Sequence, residues 1–556
     1  MKRSGNTIIV CFLLLAGAAL AACAPVLTAA PTPTPVIIKQ TVEVPVQQTV
    51  QVTVRETVAV PMVITATPVP TVPPKKGGTL IVARTEDLKG LDPHKQSTQA
   101  SLRVLELIYD SLFTFDQDMK IAPGLAESWK WSDDGKMLTV SLRKNVKFQN
   151  GDSLTSSDVK FSFERILDEK IGAVARASFA DIDKISAPDA TTVVIALKRA
   201  NATVTAAMAQ TNAAIVSKNF VSGGGDPGTD AIGTGAFRLV KWDPNKSLTL
   251  IANKDFWMPG LPRLDGIEFR VVPDEATVLA GLRAKTFDWA AIADPRIAIR
   301  AGAGASTLTI ARAPSLGFHA LTLNSNRALF TNVRVRQAIA CAVDRQEILD
   351  TVALGEGQVT GPLTLPFYRA SLDDLFCYKK DTDKVKQLLT DAGKSTLPKF
   401  KILASTDDVQ GTVAEAQNIQ AQLRRVGIET DIESVDQSTF VDRWAKGDFD
   451  AAVAALGGYP DPDVMLNRYW QSTGGLNKVA GYKDSDLDKM LDQARATTDP
   501  DKRKSIYDAA QKKLVEASPW VWLYAGYEYA IMQSHVKSYT PYPNSIRSLR
   551  EVWLDK

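Results

Sequence analysis

The segment from residue 400 to residue 456 constrains the fold of this chain more than any other. It reads FKILAS, a helical pattern, IETDIESV, a second helical pattern and FDAAVAAL. The first helical pattern aligns apolar residues from Ala416 to Val426 on one face, and Gly427 follows as a helix-ending residue. Strand, helix, strand, helix, strand predicts parallel pairing with right-handed crossovers. The sequence therefore predicts an α/β fold.

The stretch ALGGYPDPD (455–463) directly follows the last of these strands. Ligands bind beyond the carboxyl ends of strands in such sheets, so the stretch is predicted to form a pocket wall. A calcium loop is excluded because Leu466 stands where that loop requires glycine and Ser472 where it requires glutamate. Asp463 is interpreted as the cap of the helix that follows.

The first residues have the anatomy of an export signal. Lys2 and Arg3 precede an apolar run that ends in LAAC at Cys23. The run is shorter than the ~20 residues of a membrane-spanning helix. The small residues before Cys23 resemble the lipobox of bacterial lipoproteins, which predicts a signal peptide over 1–22 and a lipid on Cys23; an ordinary secretory signal is the alternative. Residues 23–75 are rich in proline, threonine and valine and predict an extended stalk.

The composition of the chain excludes some partners. Beyond about residue 75 it is longer than a usual single domain, which predicts two large lobes. Its formal net charge is only +3 and its basic residues are interspersed with acids, so nucleic acid is not an expected partner. Cys341 and Cys377 remain for the folded part, where a disulfide and two separate thiols are both open.

The first lobe is predicted to contain more than strand–helix units. TLIVAR reads as its first strand, and apolar spacing predicts a helix over 102–112. Asp134 and Gly135 between two alternating runs predict a hairpin, and SSDVKFSFERIL predicts a helix with serine and aspartate as cap candidates. Two more strands flank the turn DPNK. We therefore expect an inserted α+β subdomain.

Patterns typical of catalysis or metal binding are missing from the sequence. His94, His319 and His535 are widely spaced, which argues against a metal site, and His94 is expected to be a solvated loop residue. No GxSxG elbow and no phosphate-binding loop occurs. Tryptophans are expected in the core, with ligand stacking as the alternative. The residues concerned are Trp444, Trp470, Trp520 and Trp522.

Several segments resemble signatures of the family 5 extracellular solute-binding proteins, the peptide and nickel binders of ABC importers. They are GGTLIVA, LDPHK, IAPGLAESWKWSDDGKMLTVSLRKNVKFQNGDSLTSSDVKFSFERI, IGTGAFRLVKW, VRVRQAIACAVDR and DPDKRKSIYDAAQKKLVEASPWVWLY. The resemblance implies a two-lobed periplasmic-binding-protein-like fold of type II, in the large form with an extra α+β subdomain in lobe one. It also implies a receptor that closes on a solute and delivers it to a membrane permease, with a separate ATPase supplying the energy. No catalytic activity, cofactor or metal is expected.

The pattern and the resemblance together predict the domain bounds. These are a signal peptide (1–22), a stalk (23–75), lobe one with its subdomain (76–320), lobe two (321–525) and a return to lobe one (526–556). Crossings between the lobes are expected near HALTLNS and LYAGYEYAI.

The resemblance also places a ligand site. In peptide-binding members, a motif such as DYxDP carries an aspartate that pairs with the ligand's α-ammonium, and counting back from Pro462 puts Gly458 at that position. Either another acid takes over, Asp461 among the candidates, or the ligand is uncharged there. Gly458→Asp is expected to strengthen the binding of free-amine peptides. The predicted cleft residues are Leu456, Gly457, Gly458, Tyr459 and Asp461 on lobe two, and Gln96, Ser97 and Thr98 on lobe one; a purely structural loop role is the alternative for each.

The main functional prediction is a monomeric lipoprotein on the outer face of the cytoplasmic membrane that binds an oligopeptide or dipeptide for an ABC importer. Three alternatives stay open at this point. They are the same fold binding an oligosaccharide or other non-peptide solute, a stalked envelope sensor, and a secreted hydrolase, against which the missing nucleophile and metal motifs count.

Overall fold

The computed structural model describes residues 73–303, 307–406, 411–543 and 545–556. The predicted signal peptide, Cys23 and nearly all of the predicted stalk lie outside these residues. Among the described residues, no helix has both the length and the apolar character needed to cross a membrane.

The helices and strands follow one another in three segments. The first contains β1 (Thr79–Arg84), α1 (Gln99–Ile108), β2 (Phe113–Phe115), β3 (Ile121–Pro123), β4 (Ala126–Trp131), β5 (Met137–Leu142), α2 (Ser156–Leu167), β6 (Ile182–Asp189), β7 (Thr192–Leu197), α3 (Thr203–Ala207), α4 (Lys218–Ser222), β8 (Phe237–Asp243), β9 (Ser247–Ala252), β10 (Gly266–Val271), α5 (Glu275–Arg283), β11 (Trp289–Ile292), α6 (Pro295–Gly302) and β12 (Leu308–Pro314). The second contains β13 (Phe318–Leu323), α7 (Val333–Ala342), α8 (Arg345–Thr351), β14 (Gly357–Val359), α9 (Thr382–Asp391), β15 (Phe400–Ser405), α10 (Thr412–Arg425), β16 (Thr430–Val435), α11 (Gln437–Lys446), β17 (Ala451–Leu456), α12 (Pro462–Trp470), α13 (Asn477–Ala480), α14 (Ser485–Ala496), α15 (Pro500–Ala517) and β18 (Trp520–Trp522). The third contains β19 (Tyr524–Gln533), β20 (Val536–Lys537) and β21 (Trp553–Leu554).

Two sheets organise the described chain. The larger has the order β12-β19-β11-β1-β10-β9-β8, with β14 also paired to β19. The smaller has the order β16-β15-β17-β13-β18. We call the part built on the larger sheet lobe one and the part built on the smaller sheet lobe two. The chain passes from one sheet to the other between Pro314 and Phe318, and it returns between Trp522 and Tyr524.

The smaller sheet has the predicted strand–helix–strand architecture. Its strand β15 pairs in parallel with both β16 and β17, while β13 lies antiparallel to β17. Helices α10 and α11 connect the parallel strands, and Gly427 follows α10 with a φ of 77°, a left-handed conformation that glycine adopts without strain. The three strands therefore end at one edge of the sheet, and the loop after β17 begins there.

An antiparallel sheet of order β4-β5-β7-β6 forms the inserted subdomain. Strands β4 and β5 enclose the predicted hairpin turn at Gly135. Helix α2 is capped by Thr155 rather than by a serine, because the Asp158 side chain accepts a 2.8 Å hydrogen bond from the Thr155 backbone and completes a capping box. The subdomain has its own apolar core, which includes Leu138, Phe163 and Val193.

Two expectations change in the structure. Helix α1 ends at Ile108 because Tyr109 is extended, so Leu112 lies beyond the helix in the subdomain core. His94 is fully buried rather than solvated. Its Nε2 lies 2.9 Å from the Ala214 carbonyl and its Nδ1 lies 2.7 Å from an Arg165 nitrogen, and burial lowers the pKa of His94 to about 4. A neutral ring therefore donates to the carbonyl and accepts from the guanidinium.

The cysteine and tryptophan alternatives are also resolved. Cys341 and Cys377 form a disulfide with a Cα–Cα distance of 4.9 Å. The tryptophans all lie in the apolar core of lobe two, as the core interpretation predicts. They are Trp444, Trp470, Trp520 and Trp522.

Candidate functional site

A cavity of about 490 Å³ lies where lobe one, the subdomain and the loop after β17 meet. Lobe two contributes Gly458, Tyr459 and Pro460 to its wall, and Leu316 comes from the crossing between the two sheets. We call it the interlobe cavity. A second cavity of about 410 Å³ shares Gln99, Tyr542 and Ser545 with the first. The two cavities are therefore neighbours along one face of lobe one.

Gly458 and Tyr459 reach the interlobe cavity because β17 ends at Leu456. The backbone at Gly458 lies against the crossing, so a Cβ added there would stand 1.8 Å from the Leu316 carbonyl oxygen. A side chain at this position does not fit unless the crossing moves, so an aspartate at 458 cannot be added to this structure as a simple anchor. The Tyr459 hydroxyl accepts a hydrogen bond from Arg468, and the Arg468 guanidinium also lies over the tyrosine ring.

The predicted lobe-one residues separate into one that faces the cavity and two that do not. Ser97 is exposed and lines the interlobe cavity. Gln96 is buried, and its amide nitrogen donates to the Asp92 carbonyl. Thr98 caps α1, because its hydroxyl oxygen accepts a hydrogen bond from the Ser101 backbone. Gln96 and Thr98 thus hold the loop that presents Ser97.

Leu456, Gly457 and Asp461 do not line the interlobe cavity. Leu456 packs against the core of lobe two, and the Cα of Gly457 faces open space. Asp461 is buried, and both of its oxygens bind the Arg503 guanidinium, at 3.0 and 3.1 Å. One of these oxygens also accepts a hydrogen bond from the backbone of Asp463. Asp461 is therefore committed to a structural ion pair.

The helix after this loop is capped by Asp461, so the interpretation of Asp463 as its cap is wrong. Asp463 occupies the second helical position, and its carboxylate accepts from Arg495 at 3.1 Å and from the Asn467 side chain at 2.6 Å. Burial raises the pKa of Asp463 to about 6, and the negative charge of Asp461 adds to the effect.

The polar groups of the cavity that the sequence interpretation missed come from lobe one. Asp110 accepts hydrogen bonds from Thr234 and Trp257 through the same oxygen, Oδ2, at 2.8 and 2.9 Å. Glu106 accepts from the Ser545 hydroxyl at 2.7 Å and from the backbone of Ile546 at 2.6 Å. Burial raises the pKa of both carboxyl groups. Glu106 has a partner on each oxygen, whereas no described residue donates to Oδ1 of Asp110.

Two arginines and a set of aromatic rings complete the wall. Arg547 donates to the Thr114 hydroxyl and lies 4.3 Å from the centre of the Tyr542 ring, while Arg550 lies near enough to Asp110 to favour its charged form. The aromatic lining residues are Tyr109, Phe113, Phe115, Trp257, Tyr459 and Tyr542. The cavity can therefore bind an amphipathic solute, with apolar surface on the rings and both signs of charge within reach. Within the described ranges, no group of three or more His, Cys, Asp or Glu side chains is arranged to hold a metal ion.

Comparison with known proteins places the chain in a family. A family model described as bacterial extracellular solute-binding proteins, family 5 Middle, matches residues 120–477. The chain belongs to this family. Family 5 proteins bind solutes outside the cytoplasm, and the chain therefore has a solute-binding role. The resemblance found in the sequence is confirmed.

Individual relatives match over most of their length. Heme-binding protein A of Haemophilus influenzae is 27% identical over 468 residues, which cover 78% of this chain and 85% of that protein. The oligopeptide-binding protein AppA of Bacillus subtilis is 26% identical over 515 residues, covering 87% and 93%. The structure of HbpA2 from Haemophilus parasuis superposes with a TM-score of 0.77 at 24% identity, covering 86% of this chain and all of that one. The predicted two-lobed α/β fold is thus confirmed.

Proposed function

We propose that this family 5 protein is the receptor of an ABC importer for short peptides, which it captures in the interlobe cavity and delivers to a membrane permease and its ATPase. The observation that carries the proposal is the cavity wall itself. Both lobes contribute to it, its rings can hold apolar side chains, and its charged groups match the two ends of a peptide. The relative AppA is named as an oligopeptide-binding protein, which agrees with this ligand class.

The peptide ammonium binds Asp110 in this proposal. Lobe two has no acid at position 458, and Asp461 is held by Arg503. Asp110 lines the cavity with Oδ1 available, and an ammonium there would offset the cost of burying the carboxylate. Cleft closure on the peptide would then create the surface that the permease recognises.

In the same proposal, the chain acts as a monomer without catalytic activity or cofactor, and it does not bind nucleic acid. A lipid on Cys23 holds it at the outer face of the cytoplasmic membrane, with residues 23–75 as the stalk. The second candidate is a non-peptide solute such as an oligosaccharide, which the six aromatic rings of the wall favour because sugar rings stack on them.

Native mass spectrometry of the purified chain, followed by denaturing release of the bound molecules, separates these candidates. A series of peptide masses supports the proposal, and a series of hexose increments supports the second candidate. A cavity that stays empty after purification and after incubation with peptide mixtures contradicts both and favours the sensor.

The ammonium anchor has a sharper test. Asp110→Asn should weaken a free-amine tripeptide by about tenfold or more and leave its N-acetylated form unchanged, because only the former carries the charge that Asp110 pairs with. Asp134→Asn, in an exposed hairpin turn, is the matched control. Calorimetric titration of both peptides against both variants gives the answer, and equal losses for the two peptides would show that Asp110 is not the anchor.

A further inference from the structure

The second cavity lies at the carboxyl ends of parallel strands. Strand β1 pairs in parallel with β10 and β11, and the cavity wall includes the residues that end β1 and β11. Solutes bind at this edge in open α/β sheets. The first turn of α1 contributes Gln99 and Ala100 to the same wall. The amino end of a helix favours negative charge, because its first backbone N–H groups have no partners within the helix. We call this space the strand-end cavity.

Some buried donor atoms of the strand-end cavity lack acceptors among the described residues. Arg84 donates through Nη2 to the Ala100 carbonyl, but its Nη1 is buried and has no partner among the described residues. The indole nitrogen of Trp289 is also buried and has no partner among the described residues. Only 1% of the Trp289 surface is exposed. Arg84 and Trp289 both line the cavity. An unpaired buried donor is costly, and a buried charge without a counter-ion costs more.

The acids around this cavity do not satisfy Arg84. Glu528 pairs with Arg103, and Glu275 accepts from the backbone of Ala293 and Asp294 at 2.8 and 3.0 Å. Glu86 is exposed and forms no salt bridge with Arg84 in the described part of the chain. Burial lowers the pKa of Arg84 to about 10, so the guanidinium still carries its charge at neutral pH. Asp87 and Glu86 lie close enough to favour its charged form, but no described carboxylate forms a salt bridge or a hydrogen bond with Arg84.

We infer that the strand-end cavity is the subsite for a carboxylate of the transported solute, with Arg84 as its counter-ion and the Trp289 indole as a second donor. The inference rests on the proposed function, since the solute must extend from the interlobe cavity past Gln99 and Tyr542. It also sets a direction for a peptide, with the amino end at Asp110 and the acidic end at Arg84. The solute class is narrowed to molecules that carry a carboxylate.

Two matched ligand pairs test the subsite on the purified chain. The first is one tetrapeptide as its free acid and as its C-terminal amide, titrated by calorimetry. The second is propionate and propionamide, followed by the shift in thermal unfolding. The variants are Arg84→Gln and Trp289→Phe, with Arg296→Gln as control because Arg296 is exposed, paired with Asp294 and outside both cavities.

We expect wild type and Arg296→Gln to bind the free acid about tenfold or more tightly than the amide. In Arg84→Gln, this ratio of acid affinity to amide affinity should fall below about threefold. Trp289→Phe should reduce the ratio partly, and it decides the question if Arg84→Gln does not fold. Equal binding of acid and amide by wild type, or a ratio that survives both substitutions, overturns the inference and leaves the peptide proposal standing.

The small ligands separate the two proposals in the opposite case. If neither peptide binds but propionate alone stabilises wild type and not Arg84→Gln, the subsite stands and the peptide proposal fails. If no peptide binds and propionate has no effect that depends on Arg84, both are overturned.

Discussion

At the scale of single residues, Gly457 and Gly458 are neighbours with opposite surroundings. A Cβ at Gly457 would meet nothing within 4 Å, whereas a Cβ at Gly458 would stand 1.8 Å from the Leu316 oxygen. Leu316 belongs to the short crossing between the two sheets. The cavity loop of lobe two thus rests directly on the chain that connects the lobes.

Gly458→Ala should lower the free energy of unfolding by about 1–3 kcal/mol, because the added methyl group forces the loop and the crossing apart. Gly457→Ala should change it by no more than about 1 kcal/mol, since an alanine fits there without strain. Urea unfolding of both variants provides the measurement. Equal effects of the two substitutions would show that the contact with Leu316 does not constrain the loop.

Sequence reasoning placed Gly458 and Tyr459 at the cavity because their position follows from a local pattern, the end of a buried strand. It missed Glu106 and Arg547, which approach the same cavity from positions 441 residues apart in the chain. It also assigned Asp461 to the ligand, because nothing in the sequence shows that Arg503 of a later helix reaches it. Hydrophobic periodicity predicts helices and strands, but it does not show which side chains tertiary packing brings into contact.

At the scale of elements, two ion pairs tie α12 to the helices that follow it. Asp461, the cap of α12, pairs with Arg503 on α15, and Asp463 pairs with Arg495 on α14. Arg503 is buried and also donates to the Tyr507 hydroxyl at 3.2 Å. The loop between β17 and α12, which reaches the cavity, is therefore fixed in place by α12, α14 and α15. The disulfide was one of two alternatives left open by the sequence, whereas this network was not predicted at all. Of the three helices, only α12 was expected from the sequence, as the helix that follows the PDPD turn.

The stability of this helix network should depend on pH through Asp463. Its folded pKa of about 6 lies above the ordinary value of 3.8, so between these values the native state binds more protons than the unfolded chain. The contribution of Asp463 to stability therefore falls as the pH rises from 4 to 6 and is constant above. Asp463→Asn removes this dependence, so its stability relative to wild type should improve from pH 4 to pH 7.

Asp436→Asn is the control for this measurement. Hydrogen bonds from Thr439 hold the pKa of Asp436 below its ordinary value of 3.8, so the group is charged in both states above about pH 5. The free energy of unfolding of Asp436→Asn, plotted against pH, should therefore run parallel to that of wild type between about pH 5 and pH 7. A parallel curve for Asp463→Asn as well would contradict the prediction.

At the scale of the whole described unit, the subdomain of lobe one touches lobe two at two places. The Phe367 backbone donates to the Asp118 carbonyl at 3.1 Å, and the Lys120 ammonium lies 4.3 Å from the centre of the Phe367 ring. Farther along, the Ala202 backbone donates to the Arg495 carbonyl at 2.7 Å. Arg495 is the partner of Asp463, so the second contact connects the subdomain to the network behind the cavity loop.

Opening at the first contact should control solute entry. A Lys120→Cys and Phe367→Cys pair joined by a short bis-maleimide should slow the association of the natural solute by about tenfold or more, because the subdomain and lobe two can no longer separate. Stopped-flow binding with the unlinked double variant and each single variant as controls provides the measurement. An unchanged association rate in the linked protein would mean that solute enters elsewhere.

The two ends of the described chain meet on lobe one, where Lys75 pairs with Asp555 at 2.7 Å. The first strand β1 belongs to the larger sheet, and the last strand β21 pairs with β20, which follows β19 of that sheet. A force applied at either end of the described chain therefore enters lobe one without passing through the crossings between the lobes. Lobe two is therefore not loaded by an attachment at either end. When the protein is attached to a surface or fused to a reporter at one of these ends, lobe two should still move freely relative to lobe one, which makes both ends suitable for immobilised binding sensors.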